Sequence, residues 1–217
     1  MKALLREERD GRVALLTRNL SPGKRVYNED LVQRDGVEYR TWDPFRSKLA
    51  AAILKGMPED KIKEGDRVLY LGASTGTTAS HISDIVGPEG LVIGVEFAPR
   101  VAREFVENVA RERKNVIPFV ADARDPSRYS VTRVDVVYCD IAQPDQTEIA
   151  IANCSGLLRK DGRLLLAVKA RSIDVLKDPE LVYEEERRKL VKAGFRVELI
   201  VDLSPFEKDH VLISASR

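Results

Sequence analysis

The stretch VLYLGASTGTTASHI, residues 68–82, begins as an apolar run and breaks at two glycines, Gly72 and Gly76, before a helix-like segment. A strand, a tight loop and a helix start in this order present backbone N–H groups to a ligand in α/β proteins. The loop lacks the lysine of a P-loop, because Thr77 follows Gly76, and Ser74 replaces the middle glycine of a dinucleotide fingerprint. It therefore predicts a nucleotide-type site for an unusual ligand.

Outward from this stretch, short apolar runs alternate with helix-sized segments. The predicted strands are 68–71, 92–96, 116–120, 134–140, 163–169, 197–203 and 210–216, and the predicted helices are roughly 76–86, 98–112, 145–158 and 179–193. Continuous hydrophobicity in the first five strands indicates a parallel sheet covered on both faces. Only SPFEKD separates the last two strands, which must therefore pair antiparallel. An α/β, Rossmann-like sheet of seven strands with an antiparallel last strand is typical of class I methyltransferases that use S-adenosylmethionine (AdoMet).

The first forty residues have a different pattern. GRVALLTRNL, KRVYNEDL and VEYRTW are separated by the turn signals SPGK and RDGV and indicate a small β-rich unit. The segment DPFRSKLAAAIL then predicts a helix with Asp43 as N-cap, Pro44 in the first helical position and one buried face. That face consists of Phe45, Leu49, Ala52 and Ile53. We expect two domains, residues 1–55 and 56–217.

Composition limits the possible functions. The 217 residues include 36 basic and 35 acidic side chains, for a net charge of +1, so a strong independent grip on nucleic acid is not expected. Membrane insertion is not expected either, since no apolar run approaches the roughly 20 residues of a membrane span. The N-terminal MKALLREERDGR lacks a secretory signal, which predicts a cytoplasmic protein. Cys139 and Cys154 are predicted to be buried thiols, and no metal site is expected.

Candidate ligand-binding residues follow three successive strands. Glu96 ends the second strand and can accept hydrogen bonds from both ribose hydroxyls, Phe97 can lie against adenine, and Asp122 can take the adenine amino group. The hydroxyl residues of the glycine loop suit the amino-acid end of AdoMet, which has no phosphate. They are Ser74, Thr75, Thr77 and Thr78. NAD remains an alternative, because Glu96 would serve it equally well.

Four further residues suggest a reaction at the same sheet edge. Asp140 and Lys169 end the fourth and fifth strands, His210 opens the reversed last strand, and Lys48 flanks the apolar face of the preceding helix. A buried amine can accept the proton of a ribose 2′-hydroxyl, with a carboxylate orienting it, while the methyl group moves by in-line displacement. Each lysine could instead be an ordinary surface residue. His81, the other histidine, is interpreted as a packed or capping residue.

Five strings in this sequence closely resemble fibrillarin in its archaeal form, which has no Gly/Arg-rich tail. They are YRTWDPFRSKLAAAI, GASTGTTASHISDIVGPEGLVIGVEF, DIAQPDQ, VKARSID and FEKDHVLI. The resemblance covers nearly the whole chain. It implies a 2′-O-methyltransferase of ribosomal and transfer RNA in the box C/D ribonucleoprotein, where a guide RNA selects the target.

The resemblance also implies roles for individual residues. The catalytic set would be Lys48, Asp140, Lys169 and His210. The AdoMet contacts would be Thr77, Thr78, Glu96, Phe97, Asp122, Ala123, Asp140, Ile141, Ala142 and Gln143. The glycine loop itself adds Gly72, Ala73, Ser74 and Gly76 to the predicted cofactor site. Family members often have alanine where Ser74 or Thr75 stands, and commonly a small residue other than cysteine before Asp140. Neither change removes a catalytic group.

Partners are implied in the same way. Fibrillarin docks on a Nop-family scaffold protein, and the RNA is held largely by that scaffold and a kink-turn-binding ribosomal protein. We therefore expect weak RNA binding and little activity from the isolated chain. The alternatives are a stand-alone enzyme of the Lys-Asp-Lys-Glu type, a structural ribonucleoprotein subunit with a vestigial pocket, and an NAD-dependent oxidoreductase.

Overall fold

The computed structural model describes residues 2–9 and 11–217. Its N-terminal part forms an antiparallel sheet of four strands, β1 (Leu4–Arg9), β2 (Arg12–Arg18), β3 (Leu31–Arg34) and β4 (Val37–Trp42), in the order β1-β2-β4-β3. The predicted β-rich N-terminal part is therefore present. Residues 24–30 contain no regular secondary structure, so KRVYNEDL is a strand only from Leu31 onward.

The larger sheet contains seven strands. They are β5 (Arg67–Leu71), β6 (Leu91–Glu96), β7 (Val116–Val120), β8 (Val134–Cys139), β9 (Leu158–Lys169), β10 (Arg196–Asp202) and β11 (His210–Ser216), in the order β10-β11-β9-β8-β5-β6-β7. β11 pairs antiparallel with both of its neighbours, whereas the strands from β9 to β7 pair parallel. The predicted fold class is confirmed.

Helices cover both faces of this sheet. They are α1 (Lys48–Leu54), α2 (Thr77–Val86), α3 (Pro99–Phe105, continued by a π-helical turn at Val106–Ala110), α4 (Gln146–Leu157), α5 (Ala170–Ile173) and α6 (Pro179–Lys192). Alternate residues of β5 serve two cores: Val68 and Tyr70 pack with α1, α2 and the N-terminal sheet, and Leu69 and Leu71 pack with α4 and α6. No helix in the described residues is both long enough and apolar enough to span a membrane.

The start of α1 differs from the prediction. The N-cap is Ser47, whose Oγ accepts a hydrogen bond from Ala50 N, and the helix begins at Lys48. Asp43 instead closes a turn, because its side chain accepts from Phe45 N at 2.9 Å and its carbonyl accepts from Arg46 N at 3.2 Å. Phe45 is consequently 61% exposed and does not belong to the buried face. The predictions of Asp43 as N-cap, Pro44 in the first helical position and Phe45 in the core were wrong.

A buried polar network joins the N-terminal sheet to α2. The guanidinium of Arg40 lies 2.6 Å from Glu29 and 2.9 Å from Asp84, and Arg113 also pairs with Asp84. His81 is fully buried, stacked on Trp42, which confirms that it is a packed residue. The residues of the network pair with one another, so the charges are compensated.

The predicted boundary between two domains, at residues 55 and 56, stays a prediction.

Candidate active site

The glycine loop lies where β5 and β8 end, and Gly72 allows the loop after β5 to approach the backbone of Asp140 after β8. Its φ of +83° falls in the left-handed region, and a Cβ there would lie 2.5 Å from the carbonyl oxygen of Asp140. The N–H groups of Gly72 and Ala73 both donate to the carbonyl of Val95, at 2.9 and 3.0 Å. The loop is thereby hydrogen-bonded to β6 on one side and lies close to the backbone of Asp140 on the other.

Gly76 is the N-cap of α2 and also has a positive φ, +97°. A Cβ at this position would overlap the side chains of Phe105 and Val109. Only glycine therefore lets α2 begin this close to α3, with Thr77 and Thr78 in its first turn.

Two cavities adjoin at the loop and share Gly72, Ser74, Asp140, Ile141 and Ala142. One of about 450 Å³ is also lined by Val95, Glu96, Phe97, Ala121, Asp122, Ala123, Arg124, Gln143 and Ile149. The other, of about 470 Å³, is also lined by Arg46, Lys48, Tyr70, Ala73, Thr75, Thr77, Thr78, Ala167, Lys169, Glu207 and His210. All predicted cofactor residues except Gly76 line one of these cavities, and Gly76 shapes the loop between them.

The first of these, which we call the nucleoside cavity, is bounded by carboxylates. Glu96 accepts from Ser74 N through Oε2 and from Ala98 N through Oε1, both at 2.9 Å. Asp122 accepts from Arg124 N at 2.9 Å. The ring of Phe97 is 70% exposed.

The second, which we call the catalytic cavity, brings together the four residues of the predicted catalytic set. Nζ of Lys48 lies 3.0 Å from Oδ1 and 3.2 Å from Oδ2 of Asp140. Lys169 and His210 are directly paired in the β9–β11 register, because the reversed direction of β11 puts its start beside the end of β9. The predicted convergence on one sheet edge is therefore present.

Hydrogen bonding gives His210 a defined tautomer when it is neutral. Its Nδ1 lies 2.7 Å from the carbonyl oxygen of Lys208, which can only accept, so Nδ1 carries the proton. Nε2 is left with a lone pair. Glu207 approaches Nδ1 at 4.0 Å and lines the same cavity.

Three polar residues of the catalytic cavity were not singled out from the sequence, namely Arg46, Tyr70 and Glu207. Burial, reinforced by the charge of Asp140, raises the pKa of Tyr70 well above its usual value, while a hydrogen bond with Thr78 opposes this, so the phenol stays neutral. Proximity in sequence to Lys48 and His210 was the available signal for Arg46 and Glu207. For Tyr70, the alternation of side chains along the strand predicts on which face of the sheet the ring lies, but not that it lines this cavity.

The two thiols of the chain are not placed for chemistry. Cys139 and Cys154 are both buried, as predicted, and burial raises the pKa of Cys154 to about 12. Neither thiol is poised to act as a nucleophile at neutral pH. Among the described residues, no group of three or more His, Cys, Asp or Glu side chains could hold a metal ion.

A family model described as fibrillarin matches residues 3–217. This chain belongs to the fibrillarin family. A relative from Aeropyrum pernix named fibrillarin-like rRNA/tRNA 2′-O-methyltransferase is 50% identical over 211 residues, which cover 96% of this chain and 90% of the relative. The relative from Sulfolobus acidocaldarius with the same name is 52% identical over 206 residues, which cover 94% of this chain and 89% of the relative.

Solved fibrillarin structures share the fold. Aeropyrum pernix fibrillarin, described as a complex with natively bound S-adenosyl-L-methionine, aligns with a TM-score of 0.88 at 46% identity, covering 99% of this chain and 100% of its own. A structure described as a fibrillarin/Nop5p complex aligns with a TM-score of 0.86 at 41% identity, covering 98% of this chain and 97% of the other. Family members thus include proteins seen with AdoMet and with a Nop-family partner.

Proposed function

We propose that this fibrillarin is an AdoMet-dependent RNA 2′-O-methyltransferase of the box C/D ribonucleoprotein. It methylates ribose hydroxyls of rRNA and tRNA that a guide RNA selects. The observation that carries the proposal is the Lys48–Asp140 ion pair, which shares the catalytic cavity with Lys169 and His210 beside the glycine loop. The 2′-O-methyltransferase names of relatives about half identical to this chain support the reaction.

The residues that line the two adjoining cavities suit the chemical groups of AdoMet. Glu96 and Asp122 provide acceptors for ribose hydroxyls and an adenine amino group, and Phe97 offers a ring face for stacking. These carboxylates would repel a phosphate, whereas the backbone of the glycine loop, the hydroxyls of Thr77 and Thr78 and the Asp140 carboxylate suit the amine, carboxylate and sulfonium of an amino-acid end. When bound, AdoMet supplies a methyl group on positively charged sulfur.

The catalytic cavity then orients and deprotonates the target hydroxyl. Asp140 holds Lys48 through an ion pair, and the ammonium group of such a pair has no lone pair with which to accept the substrate proton. The positive charge instead stabilises the oxygen as its negative charge develops. Nε2 of His210 has a lone pair when the ring is neutral, and in our proposal this nitrogen accepts the proton.

Partner proteins account for RNA binding by a nearly neutral chain. Its net charge is +1, so phosphate contacts contribute little affinity by themselves. The Nop5p complex of a relative supports a Nop-family scaffold as the docking partner. In our proposal, a kink-turn-binding ribosomal protein and the guide RNA complete the particle and select the nucleotide.

Reconstitution with scaffold, kink-turn protein and guide tests this function. We expect guide-directed methylation by the wild-type complex and its loss with Lys48→Ala or Asp140→Ala. Undiminished transfer by both variants would contradict the catalytic assignment. Robust guide-free methylation by the isolated chain would contradict the dependence on partners. AdoMet binding weaker than micromolar would support the vestigial-pocket alternative.

A further inference from the structure

A buried hydrogen bond links the helix of the glycine loop to the helix of Lys48. Oγ1 of Thr78 lies 3.0 Å from Oγ of Ser47, and the two residues are only 5% and 2% exposed. Thr78 lies in the first turn of α2, and Ser47 immediately precedes α1. The bond therefore connects one wall of the AdoMet site to the start of the segment that carries Lys48.

Ser47 fixes the origin of the Lys48 side chain. Its Oγ caps α1 by accepting from Ala50 N at 3.4 Å, while its carbonyl accepts from Ala51 N at 3.0 Å. Lys48 is the next residue, and its long side chain must reach Asp140 across the cavity. A small displacement or rotation of the helix start would therefore move the ammonium group relative to Asp140.

The other end of the hydrogen bond is held rigidly by the N-terminal sheet. Arg40, fully buried on β4, donates from Nη2 to Ser80 Oγ at 2.9 Å, and Ser80 donates to the Thr77 carbonyl at 2.7 Å. The first turn of α2 is thus fixed from outside the cavity. Thr78 then provides a fixed point against which Ser47 is placed.

We propose that Ser47 is a positioning residue for methyl transfer, coupling the glycine-loop helix to the placement of Lys48 through Thr78. This inference rests on the proposed function, because it assigns Ser47 to the same reaction. Ser47 touches no reacting atom in this scheme. It acts by keeping Lys48 and Asp140 in the geometry that the reaction needs.

The test compares Ser47→Ala, Ser47→Thr and Asp178→Ala in the reconstituted complex. Asp178 is the matched control, since it caps α6 by accepting from Glu180 N at 2.9 Å but lines neither of the two cavities. We expect Ser47→Ala to lower kcat about ten- to a hundredfold, with AdoMet affinity nearly unchanged, as misplacement of a catalytic group does. Ser47→Thr keeps the hydroxyl and should recover most of the rate.

Asp178→Ala should lower the melting temperature by about as much as Ser47→Ala does, because each variant loses one helix cap. Its kcat should not change. Because Thr78 is also a proposed AdoMet contact, kcat is measured at AdoMet concentrations that saturate each variant. Under these conditions Thr78→Val should match Ser47→Ala in kcat, and the double variant should be no slower than either single variant. The proposal would be overturned if Ser47→Ala kept the wild-type kcat or if Asp178→Ala lost as much kcat as Ser47→Ala. Fully additive losses of kcat in the double variant would overturn it as well.

Crystal structures of the Ser47→Ala and Thr78→Val variants give a readout independent of activity. We expect Lys48 Nζ to lie more than about 4 Å from Asp140, beyond the limit of an ion pair. An unchanged ion pair in both variants would overturn the inference even if the wild-type complex is active. An inactive wild-type complex would instead contradict the proposed function, and these structures would still decide the role of Ser47.

Discussion

Lys48 and Asp140 are 92 residues apart in the chain, yet their charged groups lie 3.0 Å apart in the catalytic cavity. Two elements produce this contact: α1 follows the N-terminal sheet, and β8 ends at the middle of the larger sheet. The pair is about one-fifth exposed, and both residues line the cavity. It is thus an ion pair within reach of a ligand.

Replacing Lys48 by methionine should separate catalysis from cofactor binding. Methionine keeps an unbranched stem but removes the charge, so the developing oxyanion and Asp140 both lose their partner. We expect kcat of the reconstituted complex to fall by about 10²–10⁴-fold. AdoMet affinity, measured by calorimetry, should change little. Loss of AdoMet binding with Lys48→Met would show that the lysine belongs to the cofactor site instead.

A pair of glycine variants tests the close approach at the loop. Gly72 and Gly65 have nearly the same φ, +83° and +82°, but of these two only Gly72 has neighbours within 4 Å of an added Cβ, including the Asp140 carbonyl. Replacement by alanine should cost each position about 1–2 kcal/mol of backbone strain. Gly72→Ala should also lose AdoMet affinity, because the loop must move away from Asp140. Similar AdoMet affinity for the two variants would contradict this account.

Most of the site could be predicted because strand ends share an edge. Glu96, Asp140 and Lys169 end apolar strands whose parallel order follows from the helices between them, so their convergence required no tertiary information. The short link before His210 gave the reversed direction of its strand, and hence its place beside Lys169. Hydrophobic pattern and loop length were sufficient for these relationships.

The features that were missed depend on tertiary contacts or local polar competition. β1 has the sequence LLREER, and its four charged residues hide the alternating pattern by which a strand is predicted. The strand forms because it pairs with β2 and because Arg6 donates a hydrogen bond to the carbonyl of Ile53 at 2.9 Å. Asp43 followed by Pro44 resembles a helix start, but its side chain closes a turn instead. The link from Thr78 to Ser47 spans 31 residues and leaves no periodic signal.

Stability should fall in mild acid because of His81. Burial, together with the charges of Arg40 and Arg113, lowers the pKa of His81 well below its usual value of 6.5. The unfolded chain therefore binds a proton that the folded chain does not. The resulting stabilisation is complete above pH 6.5 and is lost as the pH falls from 6.5 toward the lowered pKa.

The magnitude of this effect can be isolated with His81→Gln, which does not titrate. As the pH falls well below 6.5, the free energy of unfolding of the wild type should decrease relative to that of the variant. The decrease should be about 1.4 kcal/mol per pH unit. Urea titrations between pH 5.5 and 8 measure both proteins, and the difference between them should be constant above pH 7.5. A constant difference over the whole range would contradict a neutral buried His81.

Arg40 should contribute strongly to folding because it neutralises two buried carboxylates. Its side chain is fully buried between Glu29 and Asp84, and it also donates to Ser80. Arg40→Met would leave Glu29 without its cation, and breaking a buried pair in this way costs about 3–5 kcal/mol. Arg34→Met is the matched control, since Arg34 on β3 makes a two-pronged pair with Glu7 at the surface of the same sheet. The control should lose far less stability in urea titrations, because exposed ion pairs contribute little. Equal losses would mean that the buried network does not hold the N-terminal sheet against α2.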